Sequence, residues 1–77
     1  MSNPITPKSV LDDLKRILPR RLMCSRVKLT QDMDGSLAET WVGRSRYENS
    51  PVCGLGDDLP TAVAQLMAKA AHFKDTP

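Results

Sequence analysis

The side chains that could serve as nucleophiles, bases or metal ligands are few and scattered. The 77 residues include two cysteines, Cys24 and Cys53, and one histidine, His72. Neither cysteine has a histidine near it in sequence to take its proton, and no Cys or His spacing matches a zinc site. His72 falls near the end of the last helical pattern, where a cation more commonly stabilises a helix terminus than performs acid–base work. The acidic pairs Asp12-Asp13, Asp32 with Asp34, and Asp57-Asp58 fall on a helix face, in a turn and at a helix start, their ordinary positions. Catalytic, cofactor and metal sites are therefore all expected to be absent. The expected activity is binding.

One stretch invites a sharper reading. In "PVCGLGDDLPTAVAQL", from Pro51 to Leu66, an apolar run ends in Gly54 and Gly56 before a helical pattern. A phosphate-cradling loop needs free backbone N–H groups at a helix N-terminus, commonly with a lysine after the glycines. Asp57 and Asp58 stand there instead and would repel a phosphate. The glycines are read as a tight strand exit, with Asp58 capping the helix and both carboxylates complementing the positive end of its dipole.

Charge is distributed more tellingly than its net value of +2 implies. Lys15, Arg16, Arg20, Arg21, Arg26 and Lys28 follow one another with no acid between them, and Arg44 and Arg46 are candidates to join them. Such a run is either a solvated face with a basic helix end or an anion-facing surface for a nucleic-acid backbone or an acidic protein groove. Arginine predominates in it, which suits planar, bidentate contacts. Trp41 would make this surface specific if exposed beside Arg26 and Lys28, and would be the largest core side chain if buried. The candidate partner-binding residues are Arg20, Arg21, Arg26, Lys28, Trp41, Arg44 and Arg46.

Which alternative holds depends on the elements that carry these residues. In "ITPKSVLDDLKRILPRR", Thr6 can cap, Pro7 suits the first helical position, and Val10, Leu11, Leu14, Ile17 and Leu18 form one apolar stripe that Pro19 ends. A helix is expected over 7–18. "MCSRVKLT" alternates, with Met23, Val27 and Leu29 on one side and Cys24, Arg26 and Lys28 on the other. "SLAETWVGRSRY" is a second strand, and Asp34-Gly35 between them signals a hairpin.

A two-residue turn at Asp34-Gly35 sets Val27 opposite Val42, Leu29 opposite Thr40 and Lys28 opposite Trp41. The inner face then holds Val27, Leu29, Ala38, Thr40 and Val42, and the outer face Arg26, Lys28, Glu39 and Trp41. A longer loop would reverse this and bury Trp41. A third strand is expected over 51–55, which Pro51 can only begin. A helix is expected over 58–73, with Val63, Leu66, Met67, Ala70 and Phe73 inward and alanines allowing close approach.

The whole is expected to be one α+β domain, 1–77, with flexible ends at 1–5 and 74–77. Its order is α-β-β-β-α: a three-stranded antiparallel sheet with two helices on one face, since each helix has a single apolar stripe to bury. A chain this short buries only roughly 60% of its unfolded surface, so an enclosed active-site cavity is not expected. Composition, 40% hydrophobic and 26% charged, is that of a globular protein. No apolar run is long enough to span a membrane, and the N-terminus lacks a signal pattern, so a cytoplasmic location is expected. Two cysteines are fewer than small secreted scaffolds carry, and free thiols are expected over a bridge.

The order α-β-β-β-α, with "TPKSVLDDL" at the start and "CGLGDDLPTAVAQLMAKAA" at the end, resembles double-stranded-RNA-binding domains in layout over nearly the whole chain. Those domains grip phosphates with lysines at the start of the second helix. This chain has Asp57 and Asp58 there and its first helical lysine only at Lys69, which argues against duplex RNA by that route.

"GLGDDLPTAVAQL" also resembles the strand-to-helix step of HicB-type antitoxins and small phage α-β-α sandwich proteins. That resemblance implies a small phage or prophage accessory protein, of a kind that acts by occupying a host protein or ribonucleoprotein complex. Inhibitors of CRISPR effector complexes are one such class. The other reading of the arginines is a small nucleic-acid-binding module. Single-strand stacking has little support, because Trp41, Tyr47 and Phe73 are the only aromatics. A monomer or weak homodimer is expected, the exposed third strand being able to pair with a second copy.

Overall fold

The structure, a computed structural model, describes residues 4–45 and 47–74, so Arg46 and most of the two expected flexible ends lie outside it. Within the described part of the N-terminal end, Ile5 is packed against the core. Helix α1 spans Pro7–Ile17 and helix α2 Leu59–Lys74, and between them come strands β1 (Met23–Cys24), β2 (Lys28–Asp32), β3 (Gly35–Gly43) and β4 (Asn49–Gly56). The class is α+β and every strand pairing is antiparallel. Because β1 and β2 both pair with β3, they are two halves of one interrupted strand, and β4 lies along the other side of β3.

The helix signals act where they stand. Thr6 caps α1: its hydroxyl accepts from Ser9 N–H at 3.1 Å while Ser9 Oγ accepts from Thr6 N–H at 3.0 Å. Leu18, extended ahead of Pro19, ends the helix. Asp58 caps α2, its carboxylate accepting from Thr61 N–H at 2.9 Å.

The core is one cluster. Val10, Leu14 and Leu18 meet Val27, Ala38, Val42 and Val52 of the sheet segment and Ala62, Leu66 and Ala70 of α2. Ala62 replaces Val63 as the innermost residue of its turn; Val63, Met67 and Phe73 pack at the margin. The inner sheet face follows the expected alternation, with Ala38, Thr40 and Val42 fully buried, Val27 buried and Leu29 half-buried.

Three expectations about the strands require correction. The hairpin turn is Met33-Asp34, closed by the pair Asp32 and Gly35, so the strands sit two residues away from the expected register. Leu29 faces Ala38 and Lys28 faces Glu39, in place of Thr40 and Trp41. A two-residue turn on Asp34-Gly35 would require positive φ at Asp34 as well. Here Gly35 alone has it, at 142°, and Asp32 Oδ1 steadies the turn by accepting from Met33 N–H at 2.6 Å. A shift of two residues preserves the faces.

The second correction is a bulge. Between the pairs Cys24–Val42 and Lys28–Glu39, three residues on one strand oppose two on β3. The extra residue inverts the alternation upstream, so Cys24 faces inward opposite Val42 and Met23 is exposed, the reverse of the expectation. Thr40 secures the bulge by donating its hydroxyl to the Ser25 carbonyl at 2.8 Å, while Ser25 N–H donates to the Trp41 carbonyl at 3.0 Å.

Third, Pro51 lies inside β4 opposite Trp41, two residues after its start. A proline is tolerated there because β4 is an edge strand. Gly54 and Gly56 keep ordinary backbone conformations, so their role is not the tight exit expected of them. Both face α2: a Cβ on Gly54 would meet the backbone of Ala62 and Leu66, and one on Gly56 would meet Thr61 and the Ala62 amide. The glycines let the helix lie directly on the strand.

Candidate functional site

Trp41 lies on the outer sheet face. Its neighbours in sequence, Thr40 and Val42, are fully buried, while Trp41 keeps 37% of its surface exposed. The chain from Ser25 to Leu29 runs past the indole, and Arg26, Lys28 and Trp41 line one groove together with Pro7. A cationic rim around a half-open aromatic is an arrangement suited to an anionic or mixed apolar–acidic partner surface.

The other candidates are not gathered there. Arg20 lines a separate depression with Lys15, Pro19 and Met23, where the end of α1 meets β1. Arg44 lines another with Glu48, Ser50 and Phe73, toward the end of α2. These two depressions share Leu22 and so adjoin. Arg21 is exposed beyond α1. Arg46 lies outside the described residues. Lys15 and Arg16 belong to the last turn of α1, and Arg16 is 3.6 Å from Asp13 in an exposed pair of little energetic weight. The basic run is thus divided over a helix end, a turn and a sheet edge.

Sequence reading missed the apolar half of the surface. The strand pairing places Thr30, Leu37 and Leu55 in one row of the outer face, Lys28, Glu39 and Cys53 in the next, and Trp41 with Pro51 beyond it. Leu55 is 59% exposed. An open concavity near the hairpin end is lined by Leu37, Leu55 and Thr30 with the carboxylates Asp32, Asp34 and Asp57 at its rim. The signal for these residues was the alternation of β3 continued back to Leu37, together with the parity of Pro51, Cys53 and Leu55 in β4.

The thiols are free. Cys24 belongs to the inner face, opposite Val42, and Cys53 to the outer, opposite Glu39, so the sheet separates them. Burial pushes the Cys24 thiol above its ordinary pKa, and the hydrogen bond with the Thr40 hydroxyl, 3.2 Å away, offsets this only in part. A thiol held neutral in this way is a poor nucleophile. Asp58 is shifted the other way: hydrogen bonds from Thr61, side chain and backbone, hold its carboxyl below the usual range.

Among the described residues no three His, Cys, Asp or Glu side chains come together as a metal site, and no helix is long and apolar enough to cross a membrane. Comparison with known protein families, with curated proteins and with solved structures finds no match for this chain.

Proposed function

We propose that this protein acts without catalysis, by docking on a protein or ribonucleoprotein partner through the outer sheet face, with Trp41 as the anchor and Arg26 and Lys28 as the charged rim. The carrying observation is the placement of these three side chains in one groove, beside apolar surface contributed by Leu37, Leu55 and Pro51. An exposed tryptophan in a polar rim is the composition of an interface hot spot, whereas a surface built for phosphate alone needs only the cations. The resemblance of the Gly54–Leu66 step to phage accessory proteins extends the reading to an inhibitor or modulator of a host complex in the cytoplasm, with CRISPR effector complexes as one class.

The test is affinity capture from a bacterial lysate with and without nuclease, comparing wild type with Trp41→Ala and repeating over a salt series. Docking on protein predicts capture that survives nuclease, falls with Trp41→Ala by on the order of 2 kcal/mol or more, and declines gently with salt. A slope near −0.9 per phosphate contacted, with loss of capture after nuclease, would transfer the function to nucleic-acid binding.

A further inference from the structure

The two edges of the sheet are not alike. On the outside of β4, Pro51 has no N–H to offer, and the N–H of Leu55 is taken by Gln65 Oε1 of α2 at 3.2 Å. Both features hinder further pairing along that edge. The same bond fixes the direction of the ladder. Since Leu55 turns its N–H away from β3, Leu37 opposite it turns its own backbone groups toward β2. The Trp41 carbonyl, of the same parity as Leu37, agrees by accepting from Ser25 on that side. Thr30, the partner of Leu37, therefore commits its backbone groups to β3. Leu29 and Gln31 direct theirs outward from β2, which pairs with β3 alone.

Along this open edge the charge changes sign about Thr30. Arg26 and Lys28 precede it and Asp32 and Asp34 follow, and all four are exposed. A second copy laid antiparallel on β2, with Thr30 facing Thr30 on a two-fold axis, sets Lys28 opposite Asp32 and Leu29 opposite Gln31. Continued past the strand, the same axis brings the Arg26 end toward the Asp34 end. Opposite charges meet at both places, and Leu29 with Gln31 is the pair whose outward backbone groups must bond. One oxygen of Asp32 accepts from Met33 N–H, which leaves the other for the lysine. Lys28, already opposite Glu39 within its own sheet, would then stand between two carboxylates. A one-residue slip would set residues of opposite faces against each other and lose this match.

We propose that β2 is a homodimerisation edge: two copies join antiparallel about Thr30 into one continuous sheet, with both Trp41 side chains on the same outer face. The contact is isologous, each residue meeting its complement twice. A single short strand buries far less than an obligate dimer interface, so the dimer forms at high protein concentration and dissociates on dilution. The inference goes beyond the docking reading, and its readout requires no partner.

Sedimentation velocity of the full chain up to millimolar concentration should show the mass rising from 8.5 kDa toward twice that value. Lys28→Asp alone and Asp32→Lys alone each set like charges opposite across the axis and should weaken association by about tenfold, because every pair occurs twice. The double variant Lys28→Asp with Asp32→Lys should restore it. Gln31→Pro removes a donor that β3 does not use and should abolish the dimer, with circular dichroism confirming the fold of each variant. Hydrogen exchange supplies a check free of substitutions, since the Leu29 and Gln31 amides should gain protection with concentration. A monomer at millimolar concentration overturns the proposal. So do single swaps without effect, a double swap that fails to restore the dimer, or protection that does not change.

Discussion

Ser36 and Thr40 lie on the same face of β3 and both are buried, yet only Thr40 has a hydrogen-bond partner among the described residues. Thr40→Val keeps the shape but leaves the Ser25 carbonyl in the bulge with only the long contact from the Cys24 thiol at 3.7 Å, and should cost about 1 kcal/mol in a denaturant titration. Ser36→Ala removes a hydroxyl that is already unpaired, and should leave stability unchanged or slightly raised in the same assay. Asp58 gives a prediction with a pH signature. Its folded-state pKa is lowered, so its capping contribution is present above the unfolded carboxyl range and lost as pH falls through the folded value. Asp58→Ala should lower the melting temperature at neutral pH, and the gap from wild type should close as pH falls below about 4. A gap that persists in acid would assign the effect to something other than the ionised cap.

Between elements, α2 approaches β4 closely enough that glycine is needed at the contact. Gly54→Ala would drive a methyl group into the backbone of Ala62 and Leu66, which a helix cannot yield without moving as a unit. We expect a loss of about 3 kcal/mol, or failure to fold, read from thermal melts. The glycines and Asp58 therefore serve the junction, and partner binding should survive Asp58→Ala. The interrupted strand shows a second relation between elements. Continued without the bulge at Ser25 to Val27, the β2–β3 register would set Arg26 directly opposite Trp41; with it, Ser25 bonds the Trp41 backbone and Arg26 still lines a groove with the indole. Thr40, whose hydroxyl holds the bulge, is itself fully buried on the inner face of the sheet.

For the whole molecule, the separation of the basic residues into distinct depressions predicts separable effects. Arg20→Glu with Arg21→Glu removes charge at the α1–β1 corner, away from the Trp41 groove, and should slow association and reduce its salt sensitivity. Trp41→Ala should chiefly speed dissociation and leave folding intact, because the indole is outside the buried cluster. Stopped-flow association against salt separates the two. If Trp41→Ala unfolds the chain, the outer face is part of the stability of the fold and the docking surface must lie elsewhere. In that event the cations alone remain, and nucleic acid becomes the partner to test.

Much of this architecture was legible in local order: Thr6 and Pro7, then Pro19, and Asp58 with the alanine-rich run after it, define both helices because caps and proline act on the nearest turn of backbone. The alternation from Leu29 through Val42 likewise separated the two faces; which face held Trp41 hung on a turn of two residues, and the turn found is of that length, its shift of two leaving side-chain parity unchanged. The location of the turn, the bulge and the fate of Cys24 and Met23 were not legible. They depend on which backbone groups find partners across strands, and one extra residue inverts a parity that no single strand reveals. Gly54 and Gly56 were marked as special by sequence, but their reason, a helix pressed onto a strand, exists only once the two elements meet. The basic run was continuous in sequence and was divided in space because helix, turn and strand send consecutive residues in different directions. The open edge at β2 was decided at the same level, by a proline, a glutamine and a ladder whose direction only the assembled sheet defines.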